Sequence, residues 1–171
     1  MDINGKLIKG GAVVTVVGFT GERKSTLIRN IIAKVRFKNK IVWDMRHEYD
    51  EREWTVFRND FNTFRQAMTQ AASSAIVFDE GTANIGMFKD KELMDICTAS
   101  EHNLNVVFMV FHSLSDIPVS LIRNSHFMVL YNTIDTEDSL SGLKKLFIPL
   151  LKLKKPVFVN VRQLVGAEQV K

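Results

Sequence analysis

Gly18-Phe19-Thr20-Gly21-Glu22-Arg23-Lys24-Ser25-Thr26 is the stretch on which the reading of this chain turns. It follows Ala12 to Val17, a β-branched run that predicts a strand. It precedes Lys24 to Arg36, where Leu27, Ile28, Ile31, Ile32 and Val35 form an apolar stripe at helical spacing. A loop with glycines between a strand and a helix is the setting of a phosphate-binding loop. Its backbone N–H groups and the helix N-terminus bind phosphate, Lys24 reaches the β- and γ-phosphates, and the Ser25 hydroxyl coordinates magnesium. One position departs from the pattern G-x-x-x-x-G-K-[ST], because Arg23 stands where glycine is expected. Glycine serves there because the backbone passes close to the phosphates. A Cβ costs strain, whereas a guanidinium adds a possible phosphate contact.

Downstream, Ala75-Ile76-Val77-Phe78 is a short, uniformly apolar run that predicts a buried strand, and it ends in Asp79-Glu80. Two carboxylates there suit hydrolysis: Asp79 to hold magnesium through water, Glu80 to orient and polarise the attacking water as general base. An apolar strand ending in Asp-Glu is by itself commonplace. Its weight comes from following the phosphate-loop strand at a suitable distance.

The remaining pattern alternates short strands with longer helices, as in a mainly parallel sheet flanked by helices. Lys40 to Trp43 predicts a second strand. Asp60 caps a helix in which Phe61, Phe64, Ala67, Met68 and Ala71 share a face. Phe88 to Glu101 reads as a helix, Asn105 to Phe111 as a fourth strand, and Ser115 to Arg123 as a short helix interrupted near Pro118. Phe127 to Tyr131 is a fifth strand, Ser139 to Lys154 an amphipathic helix, and Pro156 to Val161 an edge strand. No repeat or linker divides the 171 residues, so a single domain over 1–171 is expected. Cys97 has no partner for an internal disulfide and fits a core position. The four histidines lack the spacing of a metal cage. No apolar run reaches the length of a membrane span, and the start of the chain lacks the features of a signal peptide, which predicts a cytosolic protein without membrane insertion. A net charge of +4 is modest for a dedicated nucleic-acid binder and decides nothing alone.

These motifs resemble the additional-strand, catalytic-glutamate division of P-loop ATPases. The resemblance implies an α/β three-layer sandwich with strand order 5-1-4-3-2, completed by a C-terminal helix and edge strand. Asn105 to Phe111 is the candidate for the inserted strand, and His112 at its end stands where the division places a γ-phosphate sensor. Within the division, the chain is most similar to the FtsK/HerA superfamily, particularly the genome-packaging ATPases of membrane-containing (PRD1-like) phages and viruses. The resemblance is carried by Ile41 to Tyr49, with Asp44 followed by Glu48-Tyr49, and by His112 to Pro118 followed by Leu121-Ile122-Arg123-Asn124.

The resemblance implies an ATP-hydrolysing, magnesium-dependent DNA translocase that loads a viral genome into a preformed capsid. It also implies a homo-oligomeric ring, a hexamer, meeting DNA and capsid or portal-vertex proteins, in the host cytoplasm or the virion. An arginine supplied in trans completes such a site; Arg123 is the first candidate and Arg46 the second. The loop Gly81 to Lys91, with Gly86, Lys89 and Lys91, is a candidate pore loop, and equally an ordinary solvated loop. Lys144, Lys145, Lys152, Lys154 and Lys155 fit either a DNA-facing surface or the wet face of a helix. The alternatives are a phage extrusion ATPase of the zonular-occludens-toxin type, a small P-loop kinase, and a regulatory subunit with a decayed loop.

Overall fold

All six residues of β1 (Ala12–Val17) are buried, so this strand needs a neighbour on each edge and cover on each face. The computed structural model supplies both, and it describes residues 2–3, 6–7, 11–81, 90–136, 138–151, 156–161 and 163–164. After β1 come α1 (Lys24–Ala33), β2 (Lys40–Trp43), β3 (Thr55–Phe57), α2 (Phe61–Gln70), β4 (Ala75–Phe78) and α3 (Asp90–His102). The chain continues through β5 (Val106–Phe111), α4 (Val119–Asn124), β6 (Phe127–Leu130), a 3-10 helix (Gly142–Phe147), α5 (Ile148–Leu151) and β7 (Val157–Asn160). Two two-residue strands, Asp2–Ile3 and Lys6–Leu7, pair with each other and lie outside the main sheet.

The main sheet has seven strands in the order β3-β2-β4-β5-β1-β6-β7. Every pairing is parallel except β6 with β7, which is antiparallel. Its central run, β6-β1-β5-β4-β2, is the expected order 5-1-4-3-2, and β5 is the inserted strand between the two motif strands. Alternation along the buried strands splits the core in two. Val14 and Val16 face α1, packing with Ile28, Ile31 and Ile32. Val13 and Val17 face the other layer, with Phe64, Met68, Ile96, Leu121 and Phe147. That gives the three-layer sandwich.

Two expectations need correction. β3 was not expected at all: three partly exposed residues in a polar stretch carry too little pattern to stand out, and only pairing with β2 makes them a strand. Over its described part, the helix predicted from Ser139 to Lys154 is a 3-10 helix (Gly142–Phe147) followed directly by α-helical Ile148–Leu151. Pro149 has no N–H to donate, and it falls within that α-helical turn, where this is tolerated. Lys152, Lys154 and Lys155 lie outside the described residues, as do Gly86 and Lys89. The short helix predicted across Pro118 starts after it, with Pro118 as its N-cap. Asp60 caps α2 as expected, accepting a hydrogen bond from the Thr63 N–H at 3.0 Å. Cys97 is buried. Among the described residues no helix is long and apolar enough to cross a membrane.

Candidate active site

The C-terminal ends of β1, β4 and β5 lie side by side, and each releases a functional segment there. From β1 the chain turns at Gly18, whose N–H donates to Phe111 O at 3.0 Å, while the Phe19 N–H donates to Asn132 O at 2.9 Å. A Cβ on Gly18 would come within about 2.5 Å of Tyr131 Cβ, so only glycine fits. Arg23 is the N-cap of α1, at φ 58 and ψ 33, and its side chain makes no capping bond. This left-handed geometry costs a residue with a Cβ about 1 kcal/mol. Lys24 is buried, and its Nζ donates to Gly18 O at 2.7 Å and Phe19 O at 2.8 Å. Burial lowers its pKa, against the opposing pull of the Asp79 and Glu80 charges.

Ser25, in the first turn of α1, donates its hydroxyl to Asp79 Oδ2 at 2.9 Å. Asp79 is only 7% exposed, and burial raises its pKa while the Ser25 hydrogen bond opposes the rise. Tyr49 packs close by, its phenol pushed far above the ordinary value by burial and, next, by the charge of Asp79. A hydroxyl and a carboxylate at this spacing form a hard-oxygen pair suited to magnesium. Among the described residues no three His, Cys, Asp or Glu side chains form a metal cluster. Magnesium fits that sparse set, since it takes one or two protein oxygens and draws the rest from phosphates and water.

Glu80 follows at φ 69, another left-handed residue. Gly81 behind it is pressed against β5, where a Cβ would meet Val110 O at about 2.6 Å. Both oxygens of the Glu80 carboxylate are held: Oε1 lies 2.5 Å from Arg46 Nε, and Oε2 lies 3.0 Å from His112 Nε2. His112 Nδ1 is 3.5 Å from Thr20 Oγ1, which links the end of β5 to the loop between β1 and α1. Thr20, Arg23, Lys24, Ser25, Arg46, Asp79, Glu80 and His112 line a single cavity of about 220 Å³.

The structure therefore brings together Lys24, Ser25, Asp79, Glu80 and His112, residues that lie up to 88 positions apart in sequence (112 minus 24). It does not bring Arg123 to them within one chain. Arg123 is exposed on α4, and that helix ends just before His126, whose N–H bonds Val13 O near the start of β1. Its backbone thus sits toward the opposite end of the sheet. Of the candidate DNA-facing lysines, Lys91 and Lys145 are exposed, whereas Lys144 donates to Ser115 O at 2.7 Å and braces a loop.

Two organising carboxylates were not singled out from sequence for these contacts. Asp44, at 1% exposure, accepts the N–H groups of Arg46, Glu48 and Tyr49 at 3.2, 3.1 and 3.1 Å, shaping the loop after β2. Asp135 accepts from the Ser113 hydroxyl and the Leu114 N–H, both at 2.6 Å, and from the Ser115 N–H at 3.1 Å, fixing the loop after His112. Burial opposes its ionisation, yet these hydrogen bonds together lower its pKa. Asp135 lies beyond β6 and carries no local signal for contact with residues some 20 positions earlier.

No protein-family model matches the sequence, and no curated protein matches it either. Solved structures do. The genome packaging NTPase B204 from Sulfolobus turreted icosahedral virus 2, in complex with ATP-gammaS, superimposes with a TM-score of 0.68 at 14% identity, covering 90% of this chain and 93% of that one. The fold is that of a viral packaging NTPase. The AMPPCP complex of the same protein matches with a TM-score of 0.68 at 15% identity, over 90% of this chain and 94% of that chain. B204, the DNA-packaging ATPase from Sulfolobus turreted icosahedral virus, matches with a TM-score of 0.65 at 13% identity, over 91% and 95%. Identity this low establishes a likeness of fold. The parallel arrangement of β4, β5 and β1 sets Asp79, Glu80 and His112 beside the loop that follows β1.

Proposed function

We propose that this chain is a single-domain P-loop ATPase of the FtsK/HerA type that hydrolyses ATP with magnesium and couples the reaction to packaging of viral DNA. The observation that carries this reading is the shared cavity at the strand ends, where the Ser25–Asp79 pair and the held Glu80 carboxylate face the phosphate loop. The packaging-NTPase fold supports the coupling to DNA.

In this reading the loop N–H groups and the N-terminus of α1 cradle the β- and γ-phosphates, and Lys24 turns from the loop carbonyls toward them. Ser25 and Asp79 would hold the metal, which would neutralise charge on the phosphate oxygens. Glu80 orients a water and takes its proton as the water oxygen bonds to the γ-phosphorus. The bond to the bridging oxygen breaks, and ADP leaves with the electron pair. His112 senses the γ-phosphate. Arg123 lies away from its own chain's site, which suits a residue that serves the neighbouring subunit of a ring, here a hexamer. Such a motor would work in the host cytoplasm or the virion, against capsid or portal-vertex proteins.

Release of phosphate from ATP, with and without DNA, tests the proposal in wild type and Glu80→Gln. DNA-stimulated turnover in wild type is expected, falling by about 10²–10⁴-fold in Glu80→Gln. A wild-type protein that binds ATP and never hydrolyses it, with or without DNA, overturns the reading. Transfer of the phosphate to a small acceptor would make it a kinase instead.

A further inference from the structure

We propose that Arg46 is a positioning residue for Glu80 of its own chain, and that Asp44 in turn positions Arg46. The inference rests on the ATPase reading above and deepens it. An arginine that acts on a neighbour needs its guanidinium directed out of its own site. The Arg46 guanidinium instead lies 2.5 Å from Glu80 Oε1 within the same chain, and its side chain keeps 43% exposure.

The geometry gives that contact a purpose. A carboxylate offers about four lone-pair sites. Arg46 takes one on Oε1 and His112 one on Oε2, which fixes the plane of the group. Glu80 stands in left-handed backbone geometry, a strained setting of the kind that persists where surrounding contacts hold it. Asp44 holds the other end of the device: its buried carboxylate binds the Arg46 N–H and, through Glu48 and Tyr49, closes the loop that carries the arginine. Arg29 ties the same loop to α1 by donating to Glu48 O at 3.0 Å, so the clamp is anchored to the helix that bears Ser25.

Steady-state hydrolysis separates positioning from other roles. Arg46→Ala is expected to lower kcat by about 10²-fold with KM for ATP within about threefold, because ground-state binding is untouched. Arg46→Lys, a point charge that reaches one oxygen, is expected to regain about tenfold of that loss. In a Glu80→Ala background, Arg46→Ala is expected to change the residual rate by less than about twofold, since the group it positions is gone. Mixing Arg46→Ala chains with Glu80→Ala chains is expected to restore no activity.

Recovery on mixing would show that Arg46 serves a neighbour and would overturn the proposal. So would a full additional loss from Arg46→Ala in the Glu80→Ala background, which means direct action on phosphate. Wild type without turnover is a different failure: it removes the ATPase reading, and this inference with it. Arg46 is on a surface loop, and melting curves of its variants should stay within about 2 °C of wild type, which excludes loss of fold as the cause.

Discussion

At φ 58 and ψ 33, Arg23 opens α1 in a conformation that glycine takes without strain; it lines the cavity, and its side chain does not cap the helix. Arg23→Gly should therefore stabilise the nucleotide-free fold by about 1 kcal/mol and weaken ATP binding by several-fold, a gain of stability against function. Calorimetric melting and ATP titration of the same sample read both effects. Asp79 poses a related conflict. Burial holds its pKa above the ordinary value, so between the two values the folded chain binds a proton that the unfolded chain does not. Its contribution to stability is present at low pH and is lost as pH rises through the raised value. Asp79→Asn removes that loss and should raise the stability of the nucleotide-free protein at neutral pH by roughly 0.5–2 kcal/mol. The same variant should lose the stabilisation that ATP gives only with magnesium, and melting with and without each ligand checks both halves. Lys24, Ser25, Asp79 and Glu80 were all legible because their motifs are local; that Lys24 is held by the carbonyls of Gly18 and Phe19 was not.

The loop after β2 is shaped by one carboxylate, and its dependence on that group can be measured. Asp44→Ala leaves three N–H groups without their acceptor in a buried place, and should cost about 2–3 kcal/mol, a fall in Tm of roughly 4–12 °C. Hydrolysis should fall with it, because Arg46 loses its anchor. Helices were the readable elements: α1 and α2 follow from apolar spacing, and α2 from its Asp60 cap as well. Marginal elements were not. β3 exists because β2 offers an unpaired edge, and the C-terminal helical stretch passes from 3-10 to α geometry between Phe147 and Ile148. For β3 the deciding interaction lies outside the segment, in its pairing with β2.

The two ends of the sheet divide the labour of the whole molecule. Chemistry collects at the C-terminal ends of the parallel strands, as it does in open α/β sheets generally. The N-terminal ends are joined by Asn105, which is almost fully buried. Its side chain donates to Ala71 O at 2.8 Å and accepts from the Ser74 N–H at 3.0 Å, while its carbonyl accepts from Gly11 and Ala12. Asn105→Ala should cost about 2 kcal/mol, lowering Tm by roughly 4–8 °C, with KM for ATP unchanged. Lys24→Ala should do the reverse, abolishing nucleotide binding with little change in Tm. Equilibrium unfolding and ATP binding measured on both variants test the separation, and a loss of ATP affinity in Asn105→Ala would refute it.

Read alone, the chain located the glycine-bearing loop after the first strand, the Asp79-Glu80 pair and the strands that carry them, because each depends on spacing within one segment, whereas the inserted strand and the order of five strands were implied only by the family resemblance. Only the folded structure decided which arginine meets Glu80, that Asp44 and Asp135 brace the loops around the site, and that Arg123 lies apart from its own chain's site. Those outcomes depend on where loops from different strands converge in space, and hydrogen bonds between distant residues leave no periodic trace along the sequence that forms them.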